Sequence, residues 1–192
     1  MKKLTLILSF TVIAGMAKAQ TFMHGVGTGL LVATRESADN NAFGTLMYNP
    51  RFSFAETDIS SFSVGIPLTF GVAGSYNYSS NIGSTSDFRY MINAPLIFNY
   101  NRGAGSSKEN DQRFGWFLGA GVGLNHGNYF FYNDYYGETY SDSETSFGPA
   151  CNGGVRFAVG QGTHNIEILA SFMKGLNEGK PNLFGLQGVF NF

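Results

Sequence analysis

The sequence predicts an all-β fold, an eight-stranded antiparallel up-and-down transmembrane β-barrel behind an N-terminal signal peptide. Three observations carry that prediction. First, Phe114–Asn125, FGWFLGAGVGLN, alternates bulk with smallness: Phe114, Trp116, Leu118, Ala120, Val122 and Leu124 take one face, and Gly115, Phe117, Gly119, Gly121, Gly123 and Asn125 take the other. Alternation with period two is a strand. A soluble sheet sets charge opposite its apolar face, whereas glycine there suits a narrow interior, as in a small barrel whose apolar side looks outward.

Composition is the second observation. Aromatics make up 16% of the 192 residues and charged residues 13%, about half the usual share, and the chain holds 26 glycines. Neither a disordered chain nor an ordinary cytosolic domain has that mixture. The formal charge of −1 offers no basic face for phosphates, which argues against a nucleic-acid partner. Third, Met1–Gln20 reads as an export signal: Lys2 and Lys3, the apolar run Leu4–Gly15, then Ala17-Lys18-Ala19 as a small-x-small cleavage site. The run is shorter than the ~20 residues a helical span needs. Residues 1–19 are therefore assigned to the signal peptide and 20–192 to the barrel. Cys151 is the lone cysteine, so no disulfide framework is expected, and it reads as a small apolar strand residue.

The strands follow in order. Thr21–Thr34 sets Phe22, Val26, Leu30 and Val32 against Gly25, Gly27, Gly29 and Ala33, and Arg35–Thr45 reads as a polar loop. Leu46–Ala55 alternates Tyr48, Phe52 and Phe54 with Met47, Arg51 and Ser53, with Pro50 costing one ladder bond. After the turn Glu56–Ser60, the strand Ser61–Ala73 carries Phe62, Val64, Leu68 and Phe70. A turn centred on Asp58 pairs Phe54 with Phe62 and Tyr48 with Leu68, so both strands show one apolar face. Gly74–Asp87 reads as a loop and Phe88–Asn101 as the fourth strand. Across the linker Arg102–Gln112 the apolar pattern pairs Tyr100 with Phe114 and Phe98 with Trp116. His126–Ser146 reads as the longest loop, Phe147–Val159 as the sixth strand, Gly160–Thr163 as a tight turn and His164–Met173 as the seventh strand. Lys174–Pro181 loops, and Asn182–Phe192 closes the chain. Strands of this length cross a bilayer when tilted, and long connections alternating with short ones fit loops outside the cell and turns in the periplasm.

Inward positions are mainly Gly, Ser, Asn, Thr and Ala with a few charges. The tight turn places Arg156 opposite Glu167, both inward, and Arg51 points inward at a similar distance from its own turn. These three form a lumen ion pair with a joining cation, or else separate groups reaching interior water. Aromatics crowd the strand ends, with Phe22, Phe54, Phe62, Trp116, Phe157, Phe190 and Phe192 near one rim and Tyr48, Phe70, Phe88, Tyr90 and Phe147 toward the other, as in interfacial girdles.

With its signal, its eight two-faced strands, the stripe in Phe114–Asn125 and the terminal Phe190-Asn191-Phe192, the chain resembles the small OmpA/OmpX-type outer-membrane barrels over its whole mature length. The resemblance implies a location in the bacterial outer membrane, contact with its lipid and lipopolysaccharide, and a C-terminal strand in which Phe190 and Phe192 act as the signal for the barrel-assembly machinery. The chain departs from that family in one expected respect: it ends at the barrel, so the separate peptidoglycan-binding domain is expected to be absent.

Chemistry is sparse. Some eight-stranded outer-membrane barrels are lipid A deacylases or palmitoyl transferases with His beside Ser near the outer rim. Here His24 and His164 lie toward the turn side, and only His126 lies outward, followed by Gly127 and Asn128. No His cluster has metal-ligand spacing, no phosphate loop opens a helix, and no cofactor is expected. The segment Tyr129–Glu144 mixes aromatics with Asp134, Glu138, Asp142 and Glu144. It is a surface for an extracellular partner or for calcium-bridged lipopolysaccharide, or a solvated loop. The leading expectation is a non-enzymatic outer-membrane barrel with a structural or adhesion-like role. The alternatives are a lipid-modifying barrel enzyme and a secreted lipocalin-like carrier, which would turn its large apolar residues inward.

Overall fold

Hydrocarbon offers a backbone amide no partner, so strands of this pattern must satisfy one another laterally until the last meets the first. The computed structural model describes residues 21–35, 38–79, 83–133, 138–160, 164–176 and 181–192, and their ladder closes. The signal segment, parts of the loops (36–37, 80–82, 134–137 and 177–180) and the turn residues 161–163 lie outside the described residues. β1 comprises Thr21–Met23 and Gly25–Arg35, β2 Ala38–Tyr48 and Arg51–Phe54, and β3 Ser60–Gly65 and Leu68–Ser79. β4 is Gly83–Gly103, β5 Phe114–Asn133, β6 Glu138–Ala158, β7 Asn165–Lys174 and β8 Asn182–Asn191. Each strand pairs antiparallel with its neighbours in the chain, and β8 returns to β1 from Asn182↔Thr34 to Asn191↔Gly25. The fold is an eight-stranded up-and-down barrel.

Three strands are interrupted side by side near the chain termini. Proline has no N–H to give, and Pro50 lies in the break of β2 and Pro67 in the break of β3. Single bonds carry the ladder across: Ile66 N donates to Pro50 O at 3.2 Å, and Asn49 N to Gly25 O at 2.8 Å. At the break in β1, His24 and Phe192 exchange both backbone bonds, at 3.1 and 2.8 Å.

Register decides which side chains meet. Phe54 faces Phe62, and Tyr48 faces Leu68, as the turn at Asp58 requires. Between β4 and β5 the sequence-based register is corrected by four residues: Tyr100 faces Leu118, where Phe114 was expected, and Phe98 faces Ala120. The reason is the connection. Gly103 (φ 79°) and Gly105 (φ 69°) take left-handed conformations, which tuck Ala104 and Ser106 into the barrel mouth before the chain returns outside. Four is even, so both strands keep their faces.

The polar stretches at 38–45, 74–79, 83–87, 126–133 and 138–146, expected as loop, are strand instead. β3 and β4 stay paired out to Ser79↔Gly83, and β5 and β6 to Asn133↔Glu138. Side-chain alternation marks a strand only where one face meets lipid, while the backbone ladder continues beyond it.

The faces sort as the membrane reading demands. Trp116 (41% exposed), Leu118 (65%) and Phe98 (49%) stand on the exterior with the other large outward residues of Phe114–Asn125. The interior differs from the small, polar filling expected. Leu31, Phe43, Met91, Ile97, Met173 and Leu183 are buried together toward the hairpin end, with Met47, Phe117, Leu169 and Val189 below them. Glycine makes room for these: a Cβ on Gly71 would lie 2.7 Å from Met91 Cγ, on Gly123 2.5 Å from Met173 Sδ, and on Gly154 2.7 Å from Phe117 Cζ. Inward glycines are thus the complement of a few large inward side chains. One further correction concerns the girdle: Tyr48 belongs to the terminal rim, where its hydroxyl lies 2.6 Å from His24 Nδ1.

Candidate functional site

Strand parity turns Arg51, Arg156 and Glu167 into the lumen near the chain termini, and closure of the sheet brings them together. Arg156 stands directly opposite Glu167 on the β6–β7 ladder, with Nε 2.6 Å from Glu167 Oε2. Arg51 reaches the same oxygen across the lumen at 3.0 Å, and Asn191 Nδ2 donates to it at 3.3 Å. Arg156 Nη1 donates to Asn101 Oδ1 at 2.9 Å, whose Nδ2 donates to Ser63 Oγ at 3.0 Å. The Arg156 guanidinium lies 4.2 Å above the Phe117 ring. Glu167 is 0% exposed, so one carboxylate oxygen collects three donors away from solvent. Side-chain hydrogen bonds in this cluster tie β2, β3, β4, β6, β7 and β8. The part in it that sequence reasoning missed, Asn101, Ser63 and Asn191, carried the signal of parity but no charge.

The arrangement holds no nucleophile with a base. Each histidine is elsewhere, on the exterior: His24 stacks on Phe192, His164 stacks on Phe190, and His126 Nδ1 lies 2.9 Å from Thr145 Oγ1. Thr145 is brought to His126 by the β5–β6 ladder, a neighbour no local motif reveals. Among the described residues no group of His, Cys, Asp or Glu could hold a metal ion. Phe190 and Phe192 sit on the exterior of the closing seam.

At the opposite end the strands outrun their neighbours. β4 pairs with β5 only as far as Met91↔Gly127, β2 with β3 only as far as Gly44↔Val72, and β6 with β7 only as far as Ala150↔Met173. Beyond these points the β3–β4 and β5–β6 hairpins rise as separate two-stranded ribbons. Asn128 caps the fork between them: its Oδ1 accepts from Tyr90 N at 2.6 Å, and its Nδ2 donates to Phe88 O at 3.2 Å. A side-chain amide here takes the place of the next ladder residue.

No protein-family model matches the chain, and no curated protein matches it. Solved structures do. Neisserial surface protein A is similar at a TM-score of 0.53 and 15% identity, covering 91% of this chain and 98% of its own. The attachment invasion locus protein Ail of Yersinia pestis has a TM-score of 0.49 and 12% identity over 91% of this chain and 99% of its own. The N-terminal β-barrel domain of Pseudomonas aeruginosa OprF has 0.46 and 12%, over 91% and 100%. At this identity the likeness to Neisserial surface protein A speaks for the fold: a small eight-stranded outer-membrane-type barrel.

Proposed function

We propose that the chain is a non-enzymatic outer-membrane barrel that binds an extended polypeptide segment outside the cell through its two protruding hairpins. In this reading residues 1–19 are removed on export, Phe190 and Phe192 are read by the barrel-assembly machinery, and the apolar exterior is solvated by outer-membrane lipid, with lipopolysaccharide around the outer rim. The chain termini and the short turns then lie in the periplasm.

The observation that carries the reading is the pair of ribbons whose outer edges leave the barrel ladder. A strand that runs beyond the ladder of its barrel neighbour offers an edge along which another strand can add. The segment 128–144, NYFFYNDYYGETYSDSE, adds Tyr and Phe with Asp134, Glu138, Asp142 and Glu144 and no Lys or Arg. That composition suits a basic or neutral partner and disfavours a polyanion. The interior cluster contributes rigidity to the platform rather than binding.

The test is adhesion of cells displaying the chain to an immobilised extracellular-matrix protein, against a variant in which 129–142 is replaced by Gly-Ser-Gly. The reading expects at least a tenfold loss of adhesion, with heat-dependent gel mobility unchanged. Equal adhesion by both, with the variant folded, overturns it.

A further inference from the structure

At the terminal mouth of the barrel a cavity of about 270 Å³ lies between the turn after β2 and the connection after β4, walled by Thr21, Glu56, Asp58, Ser107, Lys108 and Glu109. Both walls are held in place. Thr57 N donates to Ser60 O at 2.8 Å and Thr57 Oγ1 accepts from Ser60 N at 3.0 Å, which fixes the turn. The connection is tied to it by Asn110 Nδ2, which donates to Asp58 O at 2.7 Å, and by Gly103 N, which donates to Ile59 O at 2.8 Å. Ala55 takes a left-handed conformation, φ 50°, which is uncommon for a residue with a Cβ. Alternation from Phe52 and Phe54 would send Glu56 to the exterior, whereas after Ala55 it looks into the mouth, where its Oε2 accepts from Thr21 Oγ1 at 3.3 Å.

Two polar groups of the cavity lack partners. Glu56 Oε1 is shielded from solvent without any hydrogen bond, and Ser107, only 9% exposed, leaves its Oγ unpartnered as well. Such groups call for a ligand that donates to them, and the charge of the wall says that it is a cation, since Asp58 and Glu109 join Glu56 against Lys108 alone. A bare metal ion does not fit: among the described residues no three of His, Cys, Asp and Glu are placed to hold one. A primary ammonium carries its charge and three donors on one compact head, so it satisfies the carboxylate and the hydroxyl together. The volume, just under that of ordinary small-molecule sites, leaves room for a short alkyl chain behind the head. We propose that this mouth binds a primary alkylammonium group, held by Glu56 and Ser107, with Asp58 and Glu109 drawing the cation in. With the turns in the periplasm, as proposed above, the ammonium belongs to a free diamine there or to the lysyl side chain of a peptide; binding to the purified protein does not depend on that orientation.

The experiment is calorimetric titration of the exported protein, purified in detergent micelles, with cadaverine, with Nα-acetyl-lysine amide and with calcium chloride at one ionic strength. The expected result is saturable binding of an amine, weakened about tenfold by Glu56→Gln and about threefold by Ser107→Ala. Lys108→Gln removes a like charge from the rim and is expected to tighten binding about threefold. Heat-dependent gel mobility reads the folding of each variant, and Lys108→Gln, on the exposed rim, carries the test even where a change inside the cavity prevents folding. Tighter binding of cadaverine assigns the free diamine as the source, and tighter binding of the lysyl amide assigns a peptide; both support the site. No amine binding, equal affinity in the wild type and folded Glu56→Gln, binding unmoved or weakened by Lys108→Gln, or calcium that binds and is displaced by neither amine overturns it.

Discussion

At the terminal end the lumen is filled by Arg51, Arg156 and Glu167 with their amide and hydroxyl partners. At the hairpin end it is filled by Phe43, Leu31, Met91, Met173 and Leu183. The first filling is directional: its energy depends on each donor meeting its acceptor, because an unpaired ion away from water is costly. The second depends on volume and tolerates rearrangement among apolar shapes. The backbone follows suit. Where the filling is ionic, the mouth is closed by the tucked residues 103–107, whereas above the apolar filling the sheet divides into two ribbons and exposes strand edges. The difference teaches that one barrel wall can carry an over-determined anchor and a permissive platform.

Six variants sharpen or break that comparison. Glu167→Ala strands two guanidinium groups in the lumen and is expected to cost about 3–5 kcal/mol, read as a lower midpoint of unfolding by urea in micelles. Replacing Arg51 and Arg156 by Met and Glu167 by Leu together is expected to restore most of that loss; a triple variant no better than Glu167→Ala means the ions are needed for more than pairing. Phe43→Ala removes the largest wholly apolar side chain of the upper filling and is expected to cost about 3 kcal/mol, while Phe43→Leu costs about 1 kcal/mol. Equal losses for the two would show that the upper filling is as shape-specific as the lower.

Gly105→Ala tests the tuck. Its φ is 69° and an added Cβ would lie 2.6 Å from Asn165 Nδ2, so a loss of about 1–3 kcal/mol is expected. Wild-type stability would mean the connection does not lean on the cluster. The smallest effect belongs to Asn128→Ala at the fork, about 1 kcal/mol. It should appear as faster hydrogen exchange at Tyr90 with the global midpoint unmoved. Protection unchanged at Tyr90 would show that the amide is no cap.

Much of this was legible in the chain. The faces of Phe114–Asn125, and the partners Phe54 with Phe62, follow from period-two alternation and a short turn. Two things escaped. The β4–β5 register could not be counted through a connection that turns inward at Gly103, because loop length fixes register only when the loop stays outside. The ribbons beyond Met91 and Gly127 lack apolar alternation, because neither face there meets lipid.

By itself, then, the sequence determined the number of strands, which face of each is apolar, and the position of Arg156 across from Glu167, since these depend on neighbours along one hairpin. Only the tertiary structure decided that Arg51 shares the same carboxylate oxygen from 116 positions away, that inward glycines admit Phe117, Met91 and Met173, and that Thr145 meets His126. Closing the sheet brings residues distant in sequence across a lumen too narrow to keep them apart, and no local pattern encodes that distance.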